Sequence, residues 1–284
     1  MLQYVANNIN RSYYTRLAGF AAQLEKQYKK GVIHDFRLDI KKLRAFYRLI
    51  SLESVDAKPL KLPHKLKVMY RGLGKVRDLQ QQQKSVEAFA QKKGIRPQYL
   101  IDQLMHQLKK RKSKKSFLLP QKYFPKHAKE IGEELPPQLS ADTLRTFFMQ
   151  KKQATQDIIN RKLFTDDELH SIRKNIKDMM YVSDIYTNDI DSALPRLLWA
   201  PEEQKRMEAL AKDLGDHNDV RNSLAWLQRS TTGYKGKDKE SIDAYYRAQV
   251  QEKKRLRNKI TLDLHTFFSG IAERNEELEM KNEK

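Results

Sequence analysis

The sequence predicts an all-α protein. Glycine (10) and proline (9) are few among 284 residues and cluster at a handful of places, so the segments between them are long. Apolar residues recur at alternating steps of four and three, as in Leu62, Leu66, Met69, Leu73 and Val76, which places one stripe on a helix face. No segment sustains the period-2 alternation of a half-buried strand.

The breakers set the elements in order. Helices are expected over 3–29, 33–53, 60–93 and 97–116. The first carries the stripe Tyr13, Leu17, Phe20, Leu24 and Tyr28, and Gly31 and Gly94 read as stops. A Pro-containing stretch follows over 120–138 (Pro120, Pro125, Pro136, Pro137), with room for a short helix at 126–134. The second set is expected over 140–162, 166–188, 202–229 and 239–276. Asp142 and Asp166 read as starts, Thr231 to Gly236 as a loop, and Leu256, Ile260, Leu264 and Phe267 as the last stripe. Short connections favour antiparallel neighbours. The expectation is therefore two antiparallel four-helix bundles, 1–119 and 139–284, joined by the linker 120–138.

The halves echo each other. His34, Arg37, Ile40 and Lys41 open the second helix as H-x-x-R-x-x-I-K, and His170, Arg173, Ile176 and Lys177 open the sixth in the same pattern. On the following helix of each half stands L-G-x-x-x-D: Leu73, Gly74 and Asp78, then Leu214, Gly215 and Asp219. Two motifs in one order at nearly one offset indicate a duplicated four-helix unit.

Charge narrows the function. Lys and Arg number 56 against 36 Asp and Glu, a net charge of +20. Residues 1–142 hold 30 basic and 12 acidic residues and residues 143–284 hold 26 and 24, so +18 of the excess lies in the first half. Such asymmetry suggests a polyanionic partner, whether nucleic acid, an anionic membrane surface or polyphosphate. Hydrophobic residues at 39% exclude wholesale disorder. No run approaches the roughly 18 apolar residues of a membrane span. There is no cysteine, which excludes disulfides, thiolate catalysis and Cys-type zinc sites. The segment from Met1 to Asn8 lacks a basic region followed by an apolar stretch, so no signal peptide is expected and a cytoplasmic location is the simplest expectation.

On a helix His34, Arg37, Lys41, Arg44 and Arg48 fall within an arc of about 80° over about 21 Å. Four permanent cations and an imidazole at these spacings repel one another. The nearby acids Asp35 and Asp39 point elsewhere, so the stripe reads as a row of anchors for a linear anion. His34 can gain charge when an anion binds. The third helix adds Lys67, Arg71 and Arg77. Gly74 and Gly215 read as sites of close helix packing, and Asp78 and Asp219 as structural partners for cations. The fourth helix ends in six cations within Lys109 to Lys115, of which Lys109 and Lys112 share a face and are the candidates. In the second half the candidates are His170, Arg173, Lys177 and, from the run Lys253-Lys254-Arg255, Lys254.

The chain lacks H-E-x-x-H, a P-loop, G-x-S-x-G and any carboxylate cluster that would hold Mg²⁺. The seven His are scattered without ligand spacing. No catalysis, metal or cofactor is expected.

These residues resemble the CHAD family, the conserved histidine α-helical domain. The resemblance rests on H-x-x-R-x-x-x-K-x-x-R at His34, Arg37, Lys41 and Arg44 with its partial copy at His170, Arg173 and Lys177. It rests also on L-G-x-x-R-D at Leu73, Gly74, Arg77 and Asp78 with its weaker copy at Leu214, Gly215 and Asp219. It implies two four-helix bundles enclosing a basic channel that binds inorganic polyphosphate. It also implies a standalone binder, since no segment like the CYTH triphosphatase domain found in many members is present. Met180, Asp184 and Asn218 stand where the first copy has Arg44, Arg48 and Arg77, so the first half is expected to dominate binding.

Among polyanions, phosphate chains fit best. Lys outnumbers Arg, 36 to 20, which suits reading of backbone charge over base edges. Nucleic acid ranks second, because the stripe lacks interleaved stacking aromatics. Membrane surface ranks last, because no exposed aromatic helix face accompanies the charge. Association with polyphosphate granules is the cellular setting this reading suggests.

Overall fold

The computed structural model describes residues 2–53, 59–136, 139–161, 164–190 and 201–282. Among these are nine α-helices and no strand: α1 (Leu2–Lys26), α2 (Lys30–Ile50), α3 (His64–Lys93), α4 (Gln98–Ser113), α5 (Tyr123–Glu133), α6 (Ala141–Ile159), α7 (Asp166–Asn188), α8 (Pro201–Thr231) and α9 (Lys239–Asn282). The all-α expectation holds, with most helix ends within a few residues of those expected. No described helix is long and apolar enough to cross a membrane.

Local chemistry explains several ends. α3 stops at Gly94, whose φ of 66° caps the helix by returning its N–H to Ala90 O. Thr165 and Glu168 form a capping box at α7: the Thr165 N–H donates to Glu168 Oε2 (2.8 Å) and the Glu168 N–H to Thr165 Oγ1 (3.2 Å). Asp166 is thus the first helical residue and not the cap. Ser140 caps α6 by accepting from the Thr143 N–H (3.0 Å). Gly31, read from sequence as a stop, lies inside the first turn of α2, since α1 already ends at Lys26.

The chain forms two compact units. The first contains α1 to α5, α6 as far as Phe147, α7 from Met180 and α9 as far as Tyr245. The second contains α6 from Phe148, α7 as far as Met179, α8, and α9 from Tyr246. The expected partition into 1–119, a linker and 139–284 is not the division these contacts make, because α6, α7 and α9 each contribute to both units.

Within the first unit α1 packs on α2 and α5, α2 on α3, and α3 on α4. All five stripe residues from Leu62 to Val76 are buried. So are Phe36, Ile40, Leu43 and Phe46 of α2, and Tyr13, Leu17, Leu24 and Tyr28 of the first stripe, whereas Phe20 is only half-buried. In the second unit Leu256, Ile260 and Leu264 are buried; the side chain of Phe267 lies outside the described residues.

The 120–138 stretch does more than link. Its helix α5 buries Phe124, Ala128 and Ile131 and is tied to α1 by a buried polar relay. Tyr47 Oη donates to Asn10 Oδ1 (2.7 Å), and Asn10 Nδ2 donates to Ala128 O (2.8 Å). The relay joins α2, α1 and α5 through one fully buried amide. Removing it strands a hydroxyl and a carbonyl in the core. Asn10→Ala is expected to destabilise the protein by about 2–3 kcal/mol. In urea denaturation this would read as a lower midpoint with the slope retained.

Candidate anion-binding site

The α2 stripe is built by the α2–α3 packing. Phe36, Ile40, Leu43 and Phe46 turn inward, which leaves the Arg37–Lys41–Arg44–Arg48 arc at the side and outer face of the helix. Asp39 is taken out of the stripe by an ion pair with Arg16 of α1 (2.8 Å). Its charge therefore does not neutralise the row, in line with the sequence reading.

Arg37 is held on two sides. Its Nη1 donates to Tyr70 O (2.8 Å) and its guanidinium lies over the Tyr70 ring at 4.4 Å. The space it occupies is the space above Gly74, where a Cβ would collide with Arg37 Nη1. Gly74 thus seats a cation rather than merely allowing two backbones to approach. Arg44, one heptad further along α2, approaches the same ring at 6.0 Å. His34 is exposed, and partial burial with the charges of Arg77, Lys41 and Arg37 lowers its imidazole below the ordinary value, against the opposing effect of Asp35. His34, Arg37, Lys41 and Arg77 therefore lie within electrostatic reach of one another.

Beyond Tyr70 opens a cavity of about 400 Å³. It is lined by Arg44 and Arg48 of α2, Lys67 and Arg71 of α3, and Lys61 before α3, with Tyr47 and Tyr70 as its aromatic walls. Five cations converge there, and no carboxylate is among the described lining residues. Four of the five were expected from the sequence. Lys61 was not, although it lies six residues before Lys67 in the lead-in to α3. Tyr70 was also missed, although it stands three residues after Lys67 and four before Gly74 on the same side of α3.

The second unit repeats the pairings with less charge. A Cβ on Gly215 would stand 3.9 Å from Arg173 Nε, so Gly215 faces Arg173 as Gly74 faces Arg37. His170 Nδ1 donates to Asn218 Oδ1 (3.2 Å), the position that Arg77 holds beside His34. Burial and the charges of Lys174 and Arg173 hold His170 below its ordinary value, against the Asn218 hydrogen bond. Lys177 is half-buried and Lys254 exposed, and Asp78 and Asp219 are exposed on α3 and α8.

A family model, the CHAD domain, matches residues 15–228. The chain belongs to the CHAD family. A solved structure described as the CHAD domain from the plant Ricinus communis is similar over 93% of this chain and 92% of that one, with a TM-score of 0.68 at 15% identity, which shows a shared fold. No curated protein sequence matches the chain. The CHAD match runs from within α1 to within α8 and so takes in both occurrences of the two motifs.

In this CHAD chain several cations of the second unit are met by acids. Asp166 receives Lys253 (2.5 Å) and Arg257, with His217 at 3.7 Å and Arg221 at 3.9 Å. Partial burial pushes the Asp166 carboxyl up, but Lys253, Arg257 and His217 outweigh it and hold the group below the usual carboxylate range. Lys259 reaches Asp213 (2.6 Å), Arg255 Glu252 (2.6 Å) and Lys212 Asp216 (2.9 Å). Among the described residues no cluster of three His, Asp or Glu could hold a metal ion.

The two glycines should answer differently to substitution. Gly215→Ala meets only ordinary contact and removes backbone freedom from a helix, so it is expected to stabilise by roughly 0.5–1 kcal/mol. Gly74→Ala displaces Arg37 from Tyr70, which offsets that gain. Paired urea denaturation curves are expected to show the second unit's variant above the parent and the first unit's variant at or below it.

Proposed function

We propose that this protein binds inorganic polyphosphate, without catalysis, and that the cationic α2–α3 cavity of the first unit is the principal binding surface. The observation that carries the reading is the convergence of Arg44, Arg48, Lys61, Lys67 and Arg71 on one cavity with no carboxylate among its described lining. A linear phosphate chain carries charge on every unit and displays no base edges. Lys matches it with compact charge and Arg with paired N–H donors. The half-by-half charge balance points the same way. In this reading the cavity belongs to the wall of the basic channel that the family resemblance implies. The recurring Arg–Gly and His pairings support descent of the two motif sets from one duplicated four-helix unit. A cytoplasmic protein, free or on polyphosphate granules, is the setting proposed.

Charge reversal tests the surface. Arg44→Glu with Arg71→Glu is expected to lower polyphosphate affinity by at least a hundredfold while far-UV circular dichroism is retained. The slope of log K against log salt should also become shallower, by about 0.7 for each cation removed if the chain behaves as a single strand does. Unchanged affinity would sink the assignment of this cavity. Displacement of polyphosphate by duplex DNA or RNA at equal phosphate concentration would move the reading to nucleic acid. Phosphate release from polyphosphate by pure protein with Mg²⁺ would overturn the non-catalytic reading.

pH gives an independent check. The His34 imidazole is held below its ordinary value by partial burial and by cations. An adjacent phosphate screens those cations and raises it, so protons are taken up on binding. Affinity is therefore expected to rise as pH falls through the interval between the free and bound values. His34→Asn should flatten that rise in titrations at constant ionic strength.

A further inference from the structure

We propose that the bound chain does not end at the α2–α3 cavity but continues over α3 onto the C-terminal end of α4, making the first unit an extended track that selects long phosphate chains. This rests on the polyphosphate reading and adds to it a chain-length preference and the residues that set it.

Three cavities of the first unit share walls. Arg71 lines the first cavity and also a second of about 450 Å³, between α3 and the segment that follows α4. Arg111 and Lys114 line the second and also a third of about 340 Å³ on α4. A cation therefore stands at each junction. Along α3, Lys67, Arg71 and Lys75 recur every four residues, about 6 Å per step. No carboxylate is among the described lining of any of the three. A discrete small anion needs one such cavity, whereas a row of them joined through shared cations fits a ligand with regularly repeated charge.

The far wall is held in place before any ligand arrives. Tyr28 Oη donates to Lys114 O (3.1 Å) and Lys115 Nζ to Glu25 O (2.8 Å), which pins the segment after α4 onto the end of α1 and the α1–α2 connection. The Phe117 ring packs near Tyr28, with centroids 6.4 Å apart, and covers Gly72, where a Cβ would stand 2.6 Å from it. A wall fixed in this way loses little conformational freedom on binding. Phe117 is committed to that packing, and the imidazole of His64 is the other ring among the described lining of the second and third cavities. The extension therefore offers no row of stacking platforms for bases.

The sequence had pointed to Lys109 and Lys112. All the cations of this run are exposed, and those that line the two cavities are Lys110, Arg111 and Lys114. Helix register is the reason. Leu104 and Leu108 are buried, and Arg111 continues their four-and-three stripe to the end of α4.

The test compares the full-length protein with two variants by isothermal titration. One is Lys110→Gln, Arg111→Gln and Lys114→Gln; the other is Arg44→Gln and Lys67→Gln. The ligands are tripolyphosphate and polyphosphate of about one hundred units, at equal phosphate concentration. In the parent, the long chain is expected to bind at least tenfold more tightly than tripolyphosphate. In the α4 variant that ratio should collapse towards one, and the long-chain salt slope should fall by about 2. In the cavity variant both affinities should fall together. A parent ratio retained in the α4 variant would overturn the extended track while leaving polyphosphate binding intact. Failure of both ligands to bind the parent would remove the underlying reading and the track with it. The same α4-dependent gain on single-stranded DNA of matched length would overturn the phosphate-chain assignment in favour of nucleic acid.

Discussion

The seat of Arg37 organises the first unit's chemistry. A guanidinium half-removed from water needs its N–H groups satisfied and its charge balanced. Here the Tyr70 carbonyl accepts one N–H, the Tyr70 ring takes the cation face-on, and the missing side chain of Gly74 leaves the room. That arrangement sets α2 against α3 in one register. Once the register is set, Arg44 falls beside the same ring, and Arg44 and Arg48 meet Lys67 and Arg71 across the cavity. The cavity is a consequence of the helix pairing, and Tyr47 and Tyr70 stand among its cations as aromatic walls.

The contrast between the units is one of neutralisation. Both carry many cations. In the second, Asp166, Asp213, Glu252 and Asp216 are placed where Lys253, Arg257, Lys259, Arg255 and Lys212 reach them. Most such surface pairs add little to stability, but they remove net charge locally and the field that would draw a polyanion. In the first unit Asp39 is paired with Arg16 on the α1 side of α2, away from the cation stripe. The near-even charge of residues 143–284 thus has a spatial meaning: its acids stand beside its bases.

Much of the fold is legible because helices declare themselves through local periodicity. Leu62 to Val76 could be assigned to one face without knowing their partners, and all five are buried. What is less legible depends on distant residues. The 120–138 stretch reads as a linker because of its prolines, yet Asn10 and Tyr47, each more than 70 residues away, make α5 part of the core. The α2 stripe was readable because its apolar complement is clean. The α4 end is less legible because six cations in seven positions mask the register that Leu104 and Leu108 still carry. The pairing of Lys253 and Arg257 with Asp166 spans almost 90 residues and leaves no local trace.

Two of the three residues that stand where the first motif set has Arg44, Arg48 and Arg77 have visible structural partners. Asn218, in the place of Arg77, turns a His–Arg repulsion into a neutral hydrogen bond with His170. Asp184, in the place of Arg48, forms an ion pair with Lys42 inside the first unit (3.0 Å). Had that position kept its arginine, Lys42 would face a like charge where it now has a partner. Arg173 faces Gly215 without those arginines, so this helix pairing does not depend on them. In the proposed reading, helix packing and anion affinity are therefore separable demands on the same pair of motifs. The first requires Arg facing Gly. The second, in the proposed reading, draws on Arg44 and Arg48, two and three turns beyond Arg37, where the second motif set has Met180 and Asp184.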